Sequence, residues 1–143
     1  MAITVKKITL WRREVEDRSG ALASVLEPLA GAGADLQILM GYRLPGSSSA
    51  AVELYPVSGK KHTSAAQAAG LSAATIPTLL VQGDDRPGLG RDFAKAVADA
   101  GINMSFLVAM VIGRKYASVI GFDNESDAAR AAALIKRAAS KKK

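Results

Sequence analysis

The chain has 143 residues, of which 49% are hydrophobic and 22% charged, a composition typical of a packed globular protein. No apolar run reaches the ~20 residues that cross a bilayer, and residues 1–20 lack the apolar stretch of a secretory signal, so we expect a cytoplasmic protein without a membrane partner. The net charge of +6 includes three C-terminal lysines, and the aromatic content of 5% does not favour nucleic-acid binding. The absence of cysteine excludes disulfides and thiolate chemistry.

The first half of the chain predicts the order strand, helix, strand, strand, helix from its hydrophobic periodicity. These elements are expected at Thr4–Arg13, Ala21–Ala32, Asp35–Tyr42, Ala50–Tyr55 and Ser64–Ala69. A short further strand at Ala73–Ile76 could complete the sheet. The only histidine, His62, lies in the polar segment Lys60–Ser64, which we expect to be an exposed loop, and it has no second ligand for a metal site.

The second half predicts the same order. The strands are expected at Thr78–Gln82, Asn103–Ile112 and Tyr116–Phe122, and the last helix at Ala128–Ala139. The helix between the first two strands is marked by Leu89, Phe93 and Val97, with Pro87 at its first position and Gly101 as its C-terminal cap. Asn124 is expected to cap the last helix. No fourth strand follows, so this sheet has either three strands or one supplied from elsewhere.

A repeat with an offset of 68 residues explains this parallel order. Asp17-Arg18-Ser19-Gly20 returns as Asp85-Arg86-Pro87-Gly88, and the segment that ends Ala32-Gly33-Ala34-Asp35 returns as Ala100-Gly101-Ile102-Asn103. A repeat of this length is a small domain, so we divide the chain into residues 1–76 and 77–143. The predicted fold is α+β, with two tandem ferredoxin-like βαββαβ units whose sheets are antiparallel and whose helices share one face.

The two repeated blocks resemble the ACT domain, a small ferredoxin-like module that binds amino acids and regulates metabolic enzymes. Its loop before helix 1 typically reads an acidic residue or Asn followed by Arg-Pro-Gly, and its turn into strand 2 typically reads Gly-Val/Ile-Asn-Ile. The second unit matches both blocks, whereas the first has Ser19 in place of Pro and Asp35 in place of Asn. The resemblance covers nearly the whole chain and implies a non-catalytic regulatory protein.

The resemblance also implies a ligand site between the loop of one unit and the start of strand 2 of a neighbouring unit. The implied ligand-binding residues are Asp85, Arg86, Gly88 and Asn103 of the second unit, and Asp17, Gly20 and Asp35 of the first. A helix N-terminus suits an α-carboxylate, an acidic residue could pair with an α-ammonium group, and an arginine could clamp a carboxylate. The same residues are ordinary helix-start and turn residues. In the second unit, a purely structural role for these residues and a ligand-binding role are about equally supported. In the first unit, the purely structural role is favoured.

We therefore expect a tandem ACT protein that binds an amino acid or a similar small metabolite and needs no cofactor or metal. The alternative is an assembly module without a ligand. Two further alternatives are less favoured: an acylphosphatase-like enzyme, suggested by Val81–Arg86, and a nucleic-acid binder on the sheet. The chain has no nucleophile and base pair. We also expect a homodimer, because the second sheet lacks a predicted fourth strand and leaves an edge open.

Overall fold

The computed structural model describes residues 3–140, which form two antiparallel four-stranded sheets and four helices, so the predicted α+β class is confirmed. In chain order the elements are β1 Ile3–Ile8, β2 Trp11–Glu16, α1 Ala21–Gly31, β3 Ile38–Arg43, β4 Ser49–Tyr55, α2 Gly59–Ala68, β5 Ser72–Ala73, β6 Thr78–Asp84, α3 Leu89–Asp99, β7 Met104–Ile112, β8 Lys115–Phe122 and α4 Glu125–Ser140.

Unit 1 comprises residues 9–75 and contains the sheet β3-β4-β2-β5. Its helices α1 and α2 contact each other, and their apolar stripes pack on one face of the sheet. The buried core residues are Val25, Leu29, Val52, Leu54, Ala66, Ala69 and Leu71. The order is that of a ferredoxin-like unit, with a two-residue β5 in the place of the fourth strand.

Unit 2 comprises residues 76–140 together with residues 3–8, and its sheet has the order β1-β6-β8-β7. Strand β1 runs antiparallel to β6, from the pair Ile3 and Gly83 to the pair Ile8 and Thr78. It therefore takes the place of the fourth strand. Helices α3 and α4 pack on one face over a core that includes Phe93, Ile120 and Ile135. The fourth strand of unit 2, whose origin the sequence left undecided, therefore comes from the N-terminal segment of the same chain.

The structure differs from the predicted strand Thr4–Arg13, which is two strands in two different sheets. No glycine or proline marks the break at Thr9 and Leu10, so the sequence carried no turn signal there. The unit boundaries differ accordingly from residues 1–76 and 77–143. The edge of unit 2 that led us to expect a second chain is therefore occupied by β1 of the same chain.

Two local predictions also need correction. Helix α2 begins at Gly59, so Lys60–Ser64 is helical, and the half-buried His62 places its Nε2 3.2 Å from the carbonyl oxygen of Ala32. The segment has few apolar residues and so showed no helical stripe. Pro87 precedes the N-cap residue of α3, which is Gly88 with φ 84°, and is not the first helical residue.

The N-terminus of α4 is closed by Asn124, as the sequence predicts. The Asp127 backbone N–H donates to the Asn124 side-chain oxygen at 2.8 Å, and the Asn124 amide nitrogen donates to the Asp127 carboxylate at 3.2 Å. Asn124 thus satisfies one unpaired N–H group of the first turn, and its amide group bonds to the Asp127 carboxylate. Helix α4 is long and packs on three strands of unit 2, so its cap bears on the stability of that unit.

Asn124→Ala should lower the free energy of unfolding by about 1 kcal/mol, because the first turn of α4 loses a side-chain acceptor. Urea unfolding followed by circular dichroism measures the change. The matched control is Ser126→Ala, an exposed substitution in the same turn, which should leave the midpoint nearly unchanged. Equal effects of the two substitutions would contradict a capping role for Asn124.

Candidate functional site

A cavity of about 240 Å³ lies in unit 1 between the sheet and the N-terminal end of α1. It is lined by Val15, Glu16, Asp17, Arg18, Ala21, Leu22, Gly41, Tyr42, Arg43, Ala50, Ala51 and Val52. Gly41 lies opposite the core residue Val52 and so faces the helices, and a Cβ at Gly41 would meet no atom within 4 Å. The missing side chain of Gly41 and the small Ala21 and Ala50 leave this space open.

The charged residues of the cavity are arranged as two pairs of opposite sign. Arg43 Nε lies 3.0 Å from Asp17 Oδ2, and Arg18 Nε lies 3.8 Å from Glu16 Oε2. The Arg43 side chain is 83% exposed, so this pairing is weakly held and can be exchanged for a ligand. Two cations and two carboxylates beside an apolar interior match the two charges of a zwitterion.

The N-terminal end of α1 adds a further positive potential to this cavity. Helix α1 follows Gly20, whose φ of 86° turns the chain into the helix, and its first turn contains no acidic residue. The unpaired N–H groups of a first turn carry a partial positive charge that favours a carboxylate. In unit 2 the first turn of α3 contains Asp92, which offsets that charge. The two units therefore differ in their electrostatics at the same place.

The corresponding space in unit 2 is filled by Tyr116. Ala50 lies opposite Val15 in unit 1, and Tyr116 lies opposite Gly83, the repeat counterpart of Val15. Tyr116 is 4% exposed, and its ring packs edge-on against Phe93 with the ring centres 5.6 Å apart. Burial raises the pKa of Tyr116, and the Asp85 carboxylate adds to that rise.

Arg86 of unit 2 is held by the unit itself. Its Nη1 donates to Asp92 Oδ2 at 2.6 Å, its Nη2 donates to the carbonyl oxygen of Ala138 at 3.4 Å, and its side chain is only 19% exposed. The repeat counterpart of Asp92 in unit 1 is Ser24, whose hydroxyl donates to the Gly20 carbonyl. Arg18 consequently lacks such an anchor and is 56% exposed. The same loop position serves packing in unit 2 and remains accessible in unit 1.

Within each unit, the predicted ligand-binding residues lie at two ends of a helix. Asp85, Arg86 and Gly88 precede α3, whereas Asn103 follows it, and an 11-residue helix is about 16 Å long. In unit 1, Asp17 and Gly20 precede α1 and Asp35 follows it. Of the seven residues, Asp17 lines the cavity; the exposed Asp35 and Gly20 do not.

The sequence reasoning missed Gly41, Arg43 and Ala50, which shape the cavity. A glycine inside an apolar strand often marks a place where a ligand or another backbone approaches closely, so Gly41 was the available signal. Ala50 gave none, because its role depends on strand register.

On the opposite face of the unit 1 sheet, a polar cluster surrounds Glu53, a carboxylate that is 4% exposed. The Tyr42 hydroxyl donates to Glu53 Oε2 at 2.8 Å, and Arg12 lies between Glu53 and Glu14. Burial and the bond to Glu53 raise the pKa of Tyr42, and the bond to Glu14 raises the pKa of Arg12. These groups satisfy one another, so the cluster is a structural network that fixes Tyr42 beside the cavity.

Among residues 3–140 no group of three or more His, Cys, Asp or Glu side chains could hold a metal ion. In the same range, no helix is both long enough and apolar enough to span a bilayer.

Residues 3–140 match the family model described as an ACT domain pair. The chain belongs to this family. The family of the ACT resemblance is thus confirmed over nearly the whole chain, and both ACT units are included in the match. No curated protein matches the chain significantly in sequence.

Solved structures share the fold of this ACT domain pair. A protein from Bacteroides thetaiotaomicron is 15% identical with a TM-score of 0.74, covering 93% of this chain and 89% of that one. The regulatory subunit of aspartate kinase from Thermus thermophilus, in a ligand-free form, is 17% identical with a TM-score of 0.63 and coverages of 96% and 97%. The corresponding subunit from Thermus flavus is 17% identical with a TM-score of 0.62 and coverages of 98%. At these identities the likeness establishes the fold alone.

Arg86 is bonded and mostly buried, whereas Arg18 is exposed, so substitution of the two arginines should change the free energy of unfolding by different amounts. Arg86→Gln should lower the free energy of unfolding by about 1.5–3 kcal/mol, because it removes hydrogen bonds of a charged, mostly buried group. Arg18→Gln, at the matching position of unit 1, should change it by no more than about 0.5 kcal/mol. Urea unfolding of both variants decides the point. A larger loss of unfolding free energy for Arg18→Gln than for Arg86→Gln would contradict a packing role for Arg86 and an accessible Arg18.

Proposed function

We propose that this ACT domain pair is a non-catalytic regulatory protein that binds a free amino acid in the cavity of unit 1. The observation that carries the proposal is the cavity itself, which combines an apolar interior with two cations and two carboxylates at its rim. Its volume of about 240 Å³ lies below the ~300–1,000 Å³ of pockets for drug-sized ligands and suits a smaller metabolite.

The geometry supports a ligand site in unit 1, whereas the sequence motifs favoured a site in unit 2. In unit 2 the matching space holds the Tyr116 ring, and the loop arginine is bonded to Asp92. A ligand in unit 2 would have to displace both. Asp17, Arg18 and Arg43 are the unit 1 residues that we assign to the two charged groups of the amino acid.

The other functions considered for this chain have weaker support. A phosphate-binding loop at Val81–Arg86 would need a free arginine, but Arg86 bonds to Asp92 and Ala138. A nucleic-acid platform would need several exposed aromatic rings on one sheet, whereas Tyr116 and Phe122 are buried in the core of unit 2 and the exposed Tyr42 of unit 1 is bonded to Glu53. Fold likeness to regulatory subunits is consistent with regulation without catalysis in this chain.

A thermal-shift screen of the twenty amino acids, followed by calorimetry, tests the proposal. A ligand at 100 times its Kd should add about 2.7 kcal/mol to the free energy of unfolding. Gly41→Leu should abolish that binding while leaving the fold intact, because the new side chain enters open space without a strained backbone. Met40→Leu is the matched control, since Met40 is adjacent on β3 but does not line the cavity. A flat response to all amino acids would favour a ligand-free assembly module.

We further propose that the protein is a homodimer that pairs through β7, the edge strand of the unit 2 sheet. Among the described strands β7 pairs only with β8, and its sequence Met104–Ile112 has no charge and no proline. Its exposed large residues are Leu107, Val108, Met110, Val111 and Ile112, which lie on both faces of the strand. Long apolar edges of this kind are templates for strand pairing, which natural proteins otherwise block with charges or proline. A second copy offers the same edge in a closed, twofold arrangement.

Leu107→Lys should therefore shift the protein from dimer to monomer, because a charge would be placed in the paired edge. Light scattering measures this against the 14.8 kDa mass of one chain. Leu39→Lys is the matched control: Leu39 is the repeat counterpart on β3, and the two leucines are 44% and 46% exposed. A wild-type monomer at micromolar concentration, or equal effects of the two substitutions, would rule out the β7 dimer.

A further inference from the structure

The position that Tyr116 fills in unit 2 indicates what kind of side chain the ligand of unit 1 carries. This inference rests on the proposed amino-acid function. Strand register puts Ala50 of β4 and Tyr116 of β8 at matching positions in the two sheets. A ring that is built into unit 2 is thus absent from unit 1, where a cavity lies instead. The cavity corresponds to the space of a large, flat apolar group.

Apart from the four charged residues, the only polar side chain among the described residues that lines the cavity is that of Tyr42, whose hydroxyl donates to Glu53. The charged residues belong to the two ion pairs, and the remaining lining is mainly small or apolar. In unit 2 the Tyr116 hydroxyl lies near Gly90, where a Cβ would be 3.9 Å from it. The counterpart of Gly90 in unit 1 is Leu22, which lines the cavity. A polar end group there would lie beside an apolar side chain and lose its hydrogen bonds to water.

We propose that the ligand is a free amino acid with a large apolar side chain, of the phenylalanine or leucine type. The side chain lies between α1 and the sheet, in the place that the Tyr116 ring takes in unit 2. The α-carboxylate lies toward Arg43 and the N-terminus of α1, and the α-ammonium group lies toward Asp17. The ligand side chain thus takes the place of a ring that unit 1 lacks, while the rim binds the charges that every amino acid shares.

Calorimetry of the wild-type protein with five amino acids tests the side-chain class. Phenylalanine and leucine should bind about 10- to 100-fold more tightly than glycine, since burial of a large apolar side chain contributes one to two factors of ten. Aspartate and lysine should bind no more tightly than glycine, because their charged ends would be buried without a partner.

Two variants test the position. Ala50→Tyr combined with Leu22→Gly reproduces in unit 1 the residues that fill unit 2, and it should weaken phenylalanine binding by at least about tenfold. Gly41→Leu should do the same without a new ring, so the test stands even where the double variant does not fold. Tyr116→Phe is the matched control in unit 2, and it should leave phenylalanine binding unchanged.

The possible failures are distinguishable. Tighter binding of lysine or aspartate that Gly41→Leu abolishes would overturn the apolar class and leave the amino-acid function intact. Phenylalanine binding that persists in both the double variant and Gly41→Leu would overturn the position. Absence of binding by any amino acid would overturn the ligand class together with the proposed function.

Discussion

The pairing of β1 with β6 is the constraint on which the rest of this chain depends. It completes the four-stranded sheet of unit 2 with residues from the other end of the chain, from the pair Ile3 and Gly83 to the pair Ile8 and Thr78. Along the sequence, unit 1 therefore lies between β1 and the other elements of unit 2. Such a contact between distant residues must be formed before unit 2 has its complete sheet, and the loop closure it requires costs entropy. Unit 1 is continuous in sequence, and its own long-range pair, β2 with the short β5, joins only Trp11 to Ala73 and Arg12 to Ser72.

Much of the fold could be predicted from the sequence, because helices with an apolar stripe and strands bounded by turn residues are local features. Helices α1 and α3, the β7–β8 hairpin and the Asn124 cap all have such signals. The break between β1 and β2 had none, since neither glycine nor proline lies at Thr9 or Leu10. Which sheet a strand joins depends on tertiary pairing, and alternation along one strand carries no information about its neighbour.

The cavity was harder to predict, since it depends on register and not on motif. The loop between β3 and β4, residues 44–48, is longer than the Gly113–Arg114 turn between β7 and β8. The repeat offset therefore changes beyond the loop, and a fixed offset of 68 would pair Ala50 with Ser118 instead of Tyr116. The difference between an open and a filled space is thus invisible in the repeat alignment and becomes evident only in the strand pairing.

The repeated residues themselves are explained by backbone geometry. Gly20 and Gly88 have φ values of 86° and 84°, and Gly33 and Gly101 have values of 76° and 74°, a region that favours glycine. They turn the chain into and out of the first helix of each unit, and that requirement is the same whether or not a ligand binds. The residues that distinguish the units, Ser24 from Asp92 and Ala50 from Tyr116, decide whether the loop arginine and the space beneath the helix are accessible. In a duplicated module of this kind, the repeat therefore identifies the fold, and the site is found where the two copies differ.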